Sequence, residues 1–262
     1  MTGIRRQRTE NRGQRCSHGC TTHNYLLSAV FCILSSVICL LSSVPAFAAP
    51  LGSIQASYDV YKSGLKVGQI EETYKRDKGG YTLTSTTTPL GLLAVFKPEK
   101  IFVDSSGLIG KQGLQPVRFN HRRERDQSKE SHAEFDWDAR QLTLLHQTQR
   151  KVVALPDGAQ DRLSAMYQLM FLVLQPAAAL DFPMTNGSKL DNYHYAVASG
   201  PKLKTPAGEF STLYLDSQAK AGESRTEIWL AAQLNNLPCK MIITDADGDQ
   251  LIQILSKLDS KP

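Results

Sequence analysis

The chain has 262 residues, 41% of them hydrophobic, and a formal net charge of +5. Residues 1–48 hold five arginines and one glutamate, so +4 of that charge lies there and the remainder carries only +1. A near-neutral body lacks the basic footprint of nucleic-acid binding, and about 214 residues suffice for one domain that buries roughly 70% of its unfolded surface.

Arg5, Arg6, Arg8, Arg12 and Arg15 precede an apolar run from Tyr25 to Leu41, which leads through Pro45 to Ala46-Phe47-Ala48. A basic start, a short apolar stretch and small residues two apart make a secretory signal over residues 1–48, with cleavage near Ala48/Ala49. The mature domain, residues 49–262, is then expected in the periplasm with no membrane span. The alternative is an uncleaved anchor, for which 17 apolar-leaning residues stand at the lower limit of about 17–25. Gln7-Arg8 after Arg5-Arg6 argues against a twin-arginine route, and Phe31 and Ile38 before Cys32 and Cys39 argue against lipid modification. Cys16, Cys20, Cys32 and Cys39 leave with the leader. Cys239 remains alone, so the domain has no internal disulfide and relies on packing.

From Ile54 onwards, short alternating runs are separated by turn residues. Ala56, Tyr58 and Val60 alternate with Ser57 and Asp59, and Ser63-Gly64 turns into Val67 to Lys75, which ends at Asp77-Lys78-Gly79-Gly80. Tyr81 to Thr88 is a strand by β-branched content and period two. Pro89 to Phe96 is apolar and broken by Gly91. It reads first as core, with a short helix over the mouth of the sheet or a bulged strand as alternatives. If it is a lid, Leu92, Leu93 and Phe96 are candidate ligand or partner contacts. Ile101–Asp104, Val117–Arg123 and Ser131–Trp137 continue the pattern, and Asp138-Ala139-Arg140 turns into a run from Leu142 to Leu155. Strands at this spacing, without helical patterns between them, predict an antiparallel meander.

One segment breaks the period. Leu163, Met166, Tyr167, Met170, Val173 and Leu174 fall at the spacing of a helix face. Asp161 can cap its start and Pro176 blocks its continuation, which predicts a helix over about 161–175. After Asn186-Gly187-Ser188, strands resume over Tyr193–Ala198, Phe210–Ser217, Arg225–Ala231, Cys239–Thr244 and Gln250–Leu255. The expected fold is mainly β: a single curved or barrel-like antiparallel sheet with one central amphipathic helix, in one domain. The helix can plug or line the concave face, where a lipid-sized pocket is geometrically available although such interiors are usually packed core.

No motif supplies chemistry. Asp245-Ala246-Asp247-Gly248-Asp249 opens like a calcium loop, but Gln250 and Ser256 replace the glycine and glutamate that the loop needs, so it reads as a hairpin turn. His121, His132, His146 and His194 show no ligand spacing. Ser164 has no nucleophile elbow around it, and Cys239, in an apolar strand, reads as a small hydrophobe. Hence no catalytic, cofactor or metal residue is assigned, and no cofactor is expected. Arg118, His121, Arg122, Arg123, Arg125 and Lys129 form the basic patch of the domain, interleaved with Glu124, Asp126 and Glu130. The patch reads as a solvated hairpin turning near Asp126-Gln127-Ser128, with Arg122, Arg123 and Arg125 as candidate contacts to anionic head groups or a polyanion.

Four segments in order carry a resemblance. Asp161-Arg162-Leu163-Ser164-Ala165-Met166-Tyr167 resembles the "D-x-L-S-A-x-Y" helix start of DUF3108, a family of bacterial exported domains of unknown function. Thr205-Pro206-Ala207-Gly208-Glu209-Phe210 resembles its "T-P-A-G-x-F" turn. Glu227-Ile228-Trp229-Leu230 with Leu237-Pro238-Cys239-Lys240 is similar to its "x-I-W-L … P-V-K" pair, with Cys239 where valine is commoner. Tyr58 to Gly68 and Leu114-Gln115-Pro116 fit its early strands. Physically these motifs read as architecture: Gly208 suits a turn that needs positive φ, and Trp229 reads as a large core anchor. The resemblance implies a periplasmic β-rich domain in a Gram-negative cell, curved in the manner of lipoprotein-carrier folds, and carries no activity over.

The expected function is non-enzymatic binding of a lipid or other apolar envelope component in the curved sheet. The alternative is a structural or interaction module of an envelope assembly, and a hydrolase is the least supported class. A lipid, an apolar ligand or an envelope protein is the expected partner, and nucleic acid is not.

Overall fold

The computed structural model describes residues 52–220 and 222–261. The first half runs β1 (Ser53–Lys62), β2 (Leu65–Asp77), β3 (Gly80–Pro89), helix α1 (Gly91–Phe96), β4 (Ile101–Gly110), β5 (Gly113–Arg123), β6 (Ser131–Asp136), β7 (Gln141–His146) and β8 (Gln149–Ala154). The second runs β9 (Gln160–Asp161), helix α2 (Ser164–Gln168), a 3-10 turn (Leu169–Phe171), β10 (Ala179–Thr185), β11 (Leu190–Ser199), β12 (Leu203–Thr205) and β13 (Gly208–Phe210). It ends with β14 (Thr212–Asp216), β15 (Arg225–Ala231), β16 (Leu237–Thr244) and β17 (Gln250–Lys261).

Fifteen strands make one sheet in the order β8-β7-β6-β5-β4-β3-β2-β1-β17-β16-β15-β14-β11-β10-β9, and β12 and β13 form a separate hairpin. The sequence pattern explains most of it. In β1, Ile54, Ala56, Tyr58 and Val60 are buried on one face, and in β6 Ser131, Ala133 and Phe135 are. Tight turns fall where the sequence places them: Lys78 and Gly79 both have positive φ, as the two central residues of a type I′ hairpin turn require. Thus a meander follows, joined across its middle by the antiparallel pairing of β1 with β17.

The sheet is open, with β8 and β9 as its outermost strands, rather than closed into a barrel. It is nevertheless strongly curved. Helix α2 touches both β5 and β16, which lie six strand spacings apart in the sheet order. Six spacings of about 4.8 Å would separate them by roughly 29 Å on a flat sheet. A helix about 10 Å across can reach both only if the sheet wraps around it. Across the inside of this curve, Tyr58 Oη on β1 donates to the Pro238 carbonyl on β16 at 3.0 Å.

The core sits between this concave face and α2. Tyr167 stacks on Tyr74 with ring centroids 5.7 Å apart, and both are buried among Tyr58, Leu83, Phe119, Leu144 and Leu255. A second cluster joins Tyr195, Val197, Leu215, Ile228 and Leu230 to Leu169 from the 3-10 turn.

Several expectations are corrected. The helix expected over 161–175 is only Ser164–Gln168 plus the 3-10 turn. Gln168 is fastened to β5, accepting from the Leu114 amide and donating to the Gln112 carbonyl, both at 2.7 Å. The Leu172 carbonyl in turn accepts from Asn236 Nδ2, in the turn before β16, at 3.2 Å, so tethers to β5 and to this turn hold the chain beyond α2 well before Pro176. Leu142 to Leu155 is a hairpin, β7 with β8, turned by Gln147 at φ 55°. Before Asn186, β10 is an unforeseen strand; Pro183 within it is tolerated because β9 pairs only with Met184 and Thr185. Pro89–Phe96 is not core, since α1 buries none of its residues. Nor is Trp229 a core anchor: Ile228 and Leu230 take the inner face, and the half-buried indole lies between Tyr214, at 5.0 Å, and Lys240 Nζ, 4.6 Å over its ring.

Candidate functional site

The segment from Asp161 to Tyr167 fixes α2 against the sheet. Asp161 Oδ1 accepts from the Leu163 amide at 2.9 Å and the Ser164 amide at 2.8 Å, while Ser164 Oγ accepts from the Asp161 amide at 3.0 Å. On β4, Ser105 donates its hydroxyl to Asp161 Oδ2, and Tyr81 on β3 completes the chain 3.0 Å from Ser105 Oγ. Burial raises the Asp161 pKa against the pull of these donors. Asp161, Leu163, Ser164, Ala165 and Tyr167 are all buried and hold the helix against the sheet, with Leu163 and Tyr167 also lining a cavity. Arg162 is the exception. Its amide pairs with the Thr185 carbonyl at 3.0 Å, and its side chain projects into a cavity.

That cavity, about 250 Å³, lies between α2 and the concave face. Ile70, Ile101, Val103, Leu163, Met166 and Met241 give it apolar walls, while Glu72, His121, Arg123 and Arg162 reach it from four different segments. Glu72 is committed to the protein. Its carboxyl accepts from Tyr167 Oη at 3.0 Å and from Ser85 Oγ at 3.2 Å, and burial raises its pKa in spite of both bonds. Tyr167 is in turn pushed well above the ordinary phenol value, by burial first and by the Glu72 charge second.

The basic side chains are less well matched. Arg123 Nη1 donates to Glu99 Oε2 at 2.9 Å, but its buried Nε has no partner. Among the described residues, Arg162 forms no side-chain ion pair. Arg162 is exposed on its solvent side; the protein around it lowers its pKa, the Tyr193 and Asp161 charges oppose this, and Arg123 adds to it. His121 is lowered by burial and then by Arg162 and Arg123, which keeps its imidazole neutral at pH 7. The cavity therefore combines apolar walls, a carboxyl held towards its neutral form, and two guanidinium groups of which one lacks a counter-charge. Such a lining can offer a small ligand both apolar contact and charge-assisted hydrogen bonds.

The residues expected from the sequence are split. Arg123 lines the cavity, whereas Arg122 points to the opposite face, 3.6 Å from Asp104 Oδ1, and Arg125 is exposed in the hairpin. Leu92, Val95 and Phe96 on α1 are 71%, 73% and 78% exposed, and Leu93 38%. Helix α1 nevertheless belongs to this end of the molecule. It joins β3 to β4 just beyond the paired residues Thr87 and Ile101, both of which line the cavity. The connection after it is strapped to the β5–β6 hairpin by Arg123–Glu99 and by the Glu124 amide on the Lys100 carbonyl.

Sequence reading missed Glu72, Arg162 and Tyr167 as a group. Period two in β2 puts Glu72 on the same face as Ile70 and Tyr74, an acid on a core face, and that was the available signal. The remaining candidates match their structural readings. Cys239 is buried, with burial raising its thiol pKa to about 11, and Asp245 Oδ1 is taken by the Asp247 and Asp249 amides within its turn. A larger cleft of about 810 Å³ lies beside the 3-10 turn, lined by Trp137, Phe171, Val173 and Phe182. Its carboxylates, Asp157 and Asp181, lie 2.9 Å from Arg140 and 2.7 Å from His194, and Lys111 lines the same cleft.

No curated protein matches the chain. Among solved structures, it is similar to a protein described as a lipoprotein from Parabacteroides distasonis, at 10% identity and TM-score 0.34, covering 81% of this chain and 97% of that one. It is also similar to one described as an exported protein with a YmcC-like fold from Bacteroides fragilis, at 10% identity and TM-score 0.33, covering 81% and 98%. The family description "Protein of unknown function (DUF3108)" matches residues 57–254, which include α2, the turn at Gly208 and the β15–β16 pair. The chain is a member of the DUF3108 family.

Proposed function

We propose that this protein is exported to the periplasm and there binds, without catalysis, a lipid or other apolar-bodied envelope component in the concave face of its sheet. The observation that carries this reading is the cavity of about 250 Å³ between α2 and the sheet, lined by Ile70, Ile101, Val103, Leu163, Met166 and Met241 together with about as much polar surface. The basic, apolar and small-residue leader supports export. Its residues lie outside those described. Non-catalytic binding is supported by how the hydroxyls and carboxyls beside the cavity are used: Ser105, Ser164, Tyr81 and Asp161 bond to one another and hold α2 in place. The test is native mass spectrometry of the protein recovered gently from cells that express the full chain. A reproducible added mass that disappears on denaturation is expected. A bare polypeptide mass counts against the reading.

A second reading, an interaction module of an envelope assembly, is favoured by α1. A helix that exposes Leu92, Val95 and Phe96 beside Arg125 offers apolar contact area with basic residues at its margin. Chemical cross-linking in cells distinguishes it: a Phe96→Ser variant should lose any specific cross-linked product if α1 is the contact.

A further inference from the structure

We infer that the ligand held in the concave cavity carries an anionic group, a phosphate, sulfate or carboxylate, and that Arg162 is its receptor with Arg123 beside it. The inference rests on the proposed binding function and adds the charge of the ligand to it.

Four observations converge on this charge. First, Arg162 lines the cavity from an exposed position at its mouth and forms no side-chain ion pair among the described residues. A guanidinium at the mouth of a cavity with no protein counter-charge is free to pair with a bound anion. Second, the acids near it are already committed. Asp161 Oδ1 and Oδ2 accept from the Leu163 and Ser164 amides and from Ser105, and Glu72 accepts from Tyr167 and Ser85. Third, Arg123 presents a second guanidinium to the same cavity. Glu99 takes its Nη1, while its buried Nε is left without an acceptor. Fourth, Arg162, Arg123 and His121 come from separate segments and line the same cavity, so the basic side chains converge here, and the two guanidinium charges add to burial in lowering the His121 pKa. Guanidinium groups bind phosphate and carboxylate through paired, charge-assisted hydrogen bonds. The apolar side chains Ile70, Ile101, Val103 and Met241 line the same space, so the anion is read as the head of an amphiphile.

The test uses three probes by calorimetry, on protein recovered from cells expressing the full chain: octyl phosphate, octyl glucoside and inorganic phosphate. Arg162→Gln and Arg162→Lys are compared with Arg122→Gln, a control on the opposite face. Octyl phosphate is expected to bind at least about tenfold more tightly than octyl glucoside, the scale of one or two charge-assisted hydrogen bonds. Arg162→Gln should abolish that preference, Arg162→Lys should keep part of it, and Arg122→Gln should leave it unchanged. Equal binding of both octyl probes, unaffected by Arg162→Gln, overturns the anion while leaving the apolar reading in place. Inorganic phosphate binding as tightly as octyl phosphate, and losing affinity in Arg162→Gln, upholds the anion receptor and instead removes the amphiphile reading. Failure of all three probes on a folded protein overturns both.

Discussion

Tyr167 reaches across the inside of the sheet to Glu72, its hydroxyl 3.0 Å from the carboxyl, joining residues 95 positions apart in the chain. The bond ties α2 to β2 where the ring of Tyr167 also stacks on Tyr74. Removing the hydroxyl alone keeps the stack and leaves Glu72 with Ser85 as its remaining donor. Tyr167→Phe should therefore cost about 1–2 kcal/mol, and Tyr167→Ala about 3–5 kcal/mol, because the second also opens a cavity. Urea denaturation of both variants checks the order, and equal losses would remove the hydroxyl from the account.

Glu72 predicts a pH dependence. Its pKa in the folded protein is raised above the ordinary value of 4.5, by burial above all. A folded state that holds the proton more tightly than the unfolded chain is favoured at low pH. This contribution is complete below the unfolded value and is lost as the pH rises through the folded one. Glu72→Gln removes the titration, so the variant should gain on the parent as the pH is raised from 4 towards neutrality. Thermal unfolding of both across that range shows it; parallel curves would mean that Glu72 titrates as it does in water.

Phe96→Ser tests the exposure of α1. Since the ring is largely in solvent, its loss should change stability by no more than about 0.5 kcal/mol, against about 2–5 kcal/mol for Leu83→Ala in the core. A Phe96→Ser loss on the scale of the core variant would place α1 against the sheet.

Trp229→Ala discriminates between core anchor and surface ladder. The indole is half-buried, packed at the margin of the core and flanked by Tyr214 and Lys240, so about 1–2 kcal/mol is expected. A fully buried aromatic would lose about 3–5 kcal/mol. Chemical denaturation separates the two ranges.

What the sequence revealed followed its local periods. Ile54 to Val60 and Ser131 to Phe135 announced strands because one buried face forces alternation, and Lys78-Gly79 and Asp247-Gly248 announced turns through residues that accept positive φ. Parity would also have placed Trp229, since Ile228 and Leu230 claim the inner face and leave it the outer one; residue type misled where position was informative. Composition alone did not separate an exposed apolar helix at Leu92–Phe96 from a buried one. The length of α2 was hidden for another reason, because Leu114 on β5 and Asn236 in the turn before β16 fasten Gln168 and Leu172 from far away in sequence. The cavity was hidden in the same way. Glu72, His121 and Arg162 share no local spacing, and only the curvature of the sheet brings them to one place.

The pairing of β1 with β17 has a consequence for how the molecule is made. Ser53 lies opposite Lys261, and Gly52 donates its amide to the Lys261 carbonyl at 2.9 Å, so the strand synthesised first and the strand synthesised last meet in the middle of the sheet. Until residues 250–261 have emerged, β1 and β16 have no bridge between them, and the two wings of the sheet cannot curl around α2. Seams closed over such a sequence distance form slowly. A polypeptide threaded through a membrane pore from its N-terminus would thus remain pliable until its tail had crossed, and would lock shut on the far side.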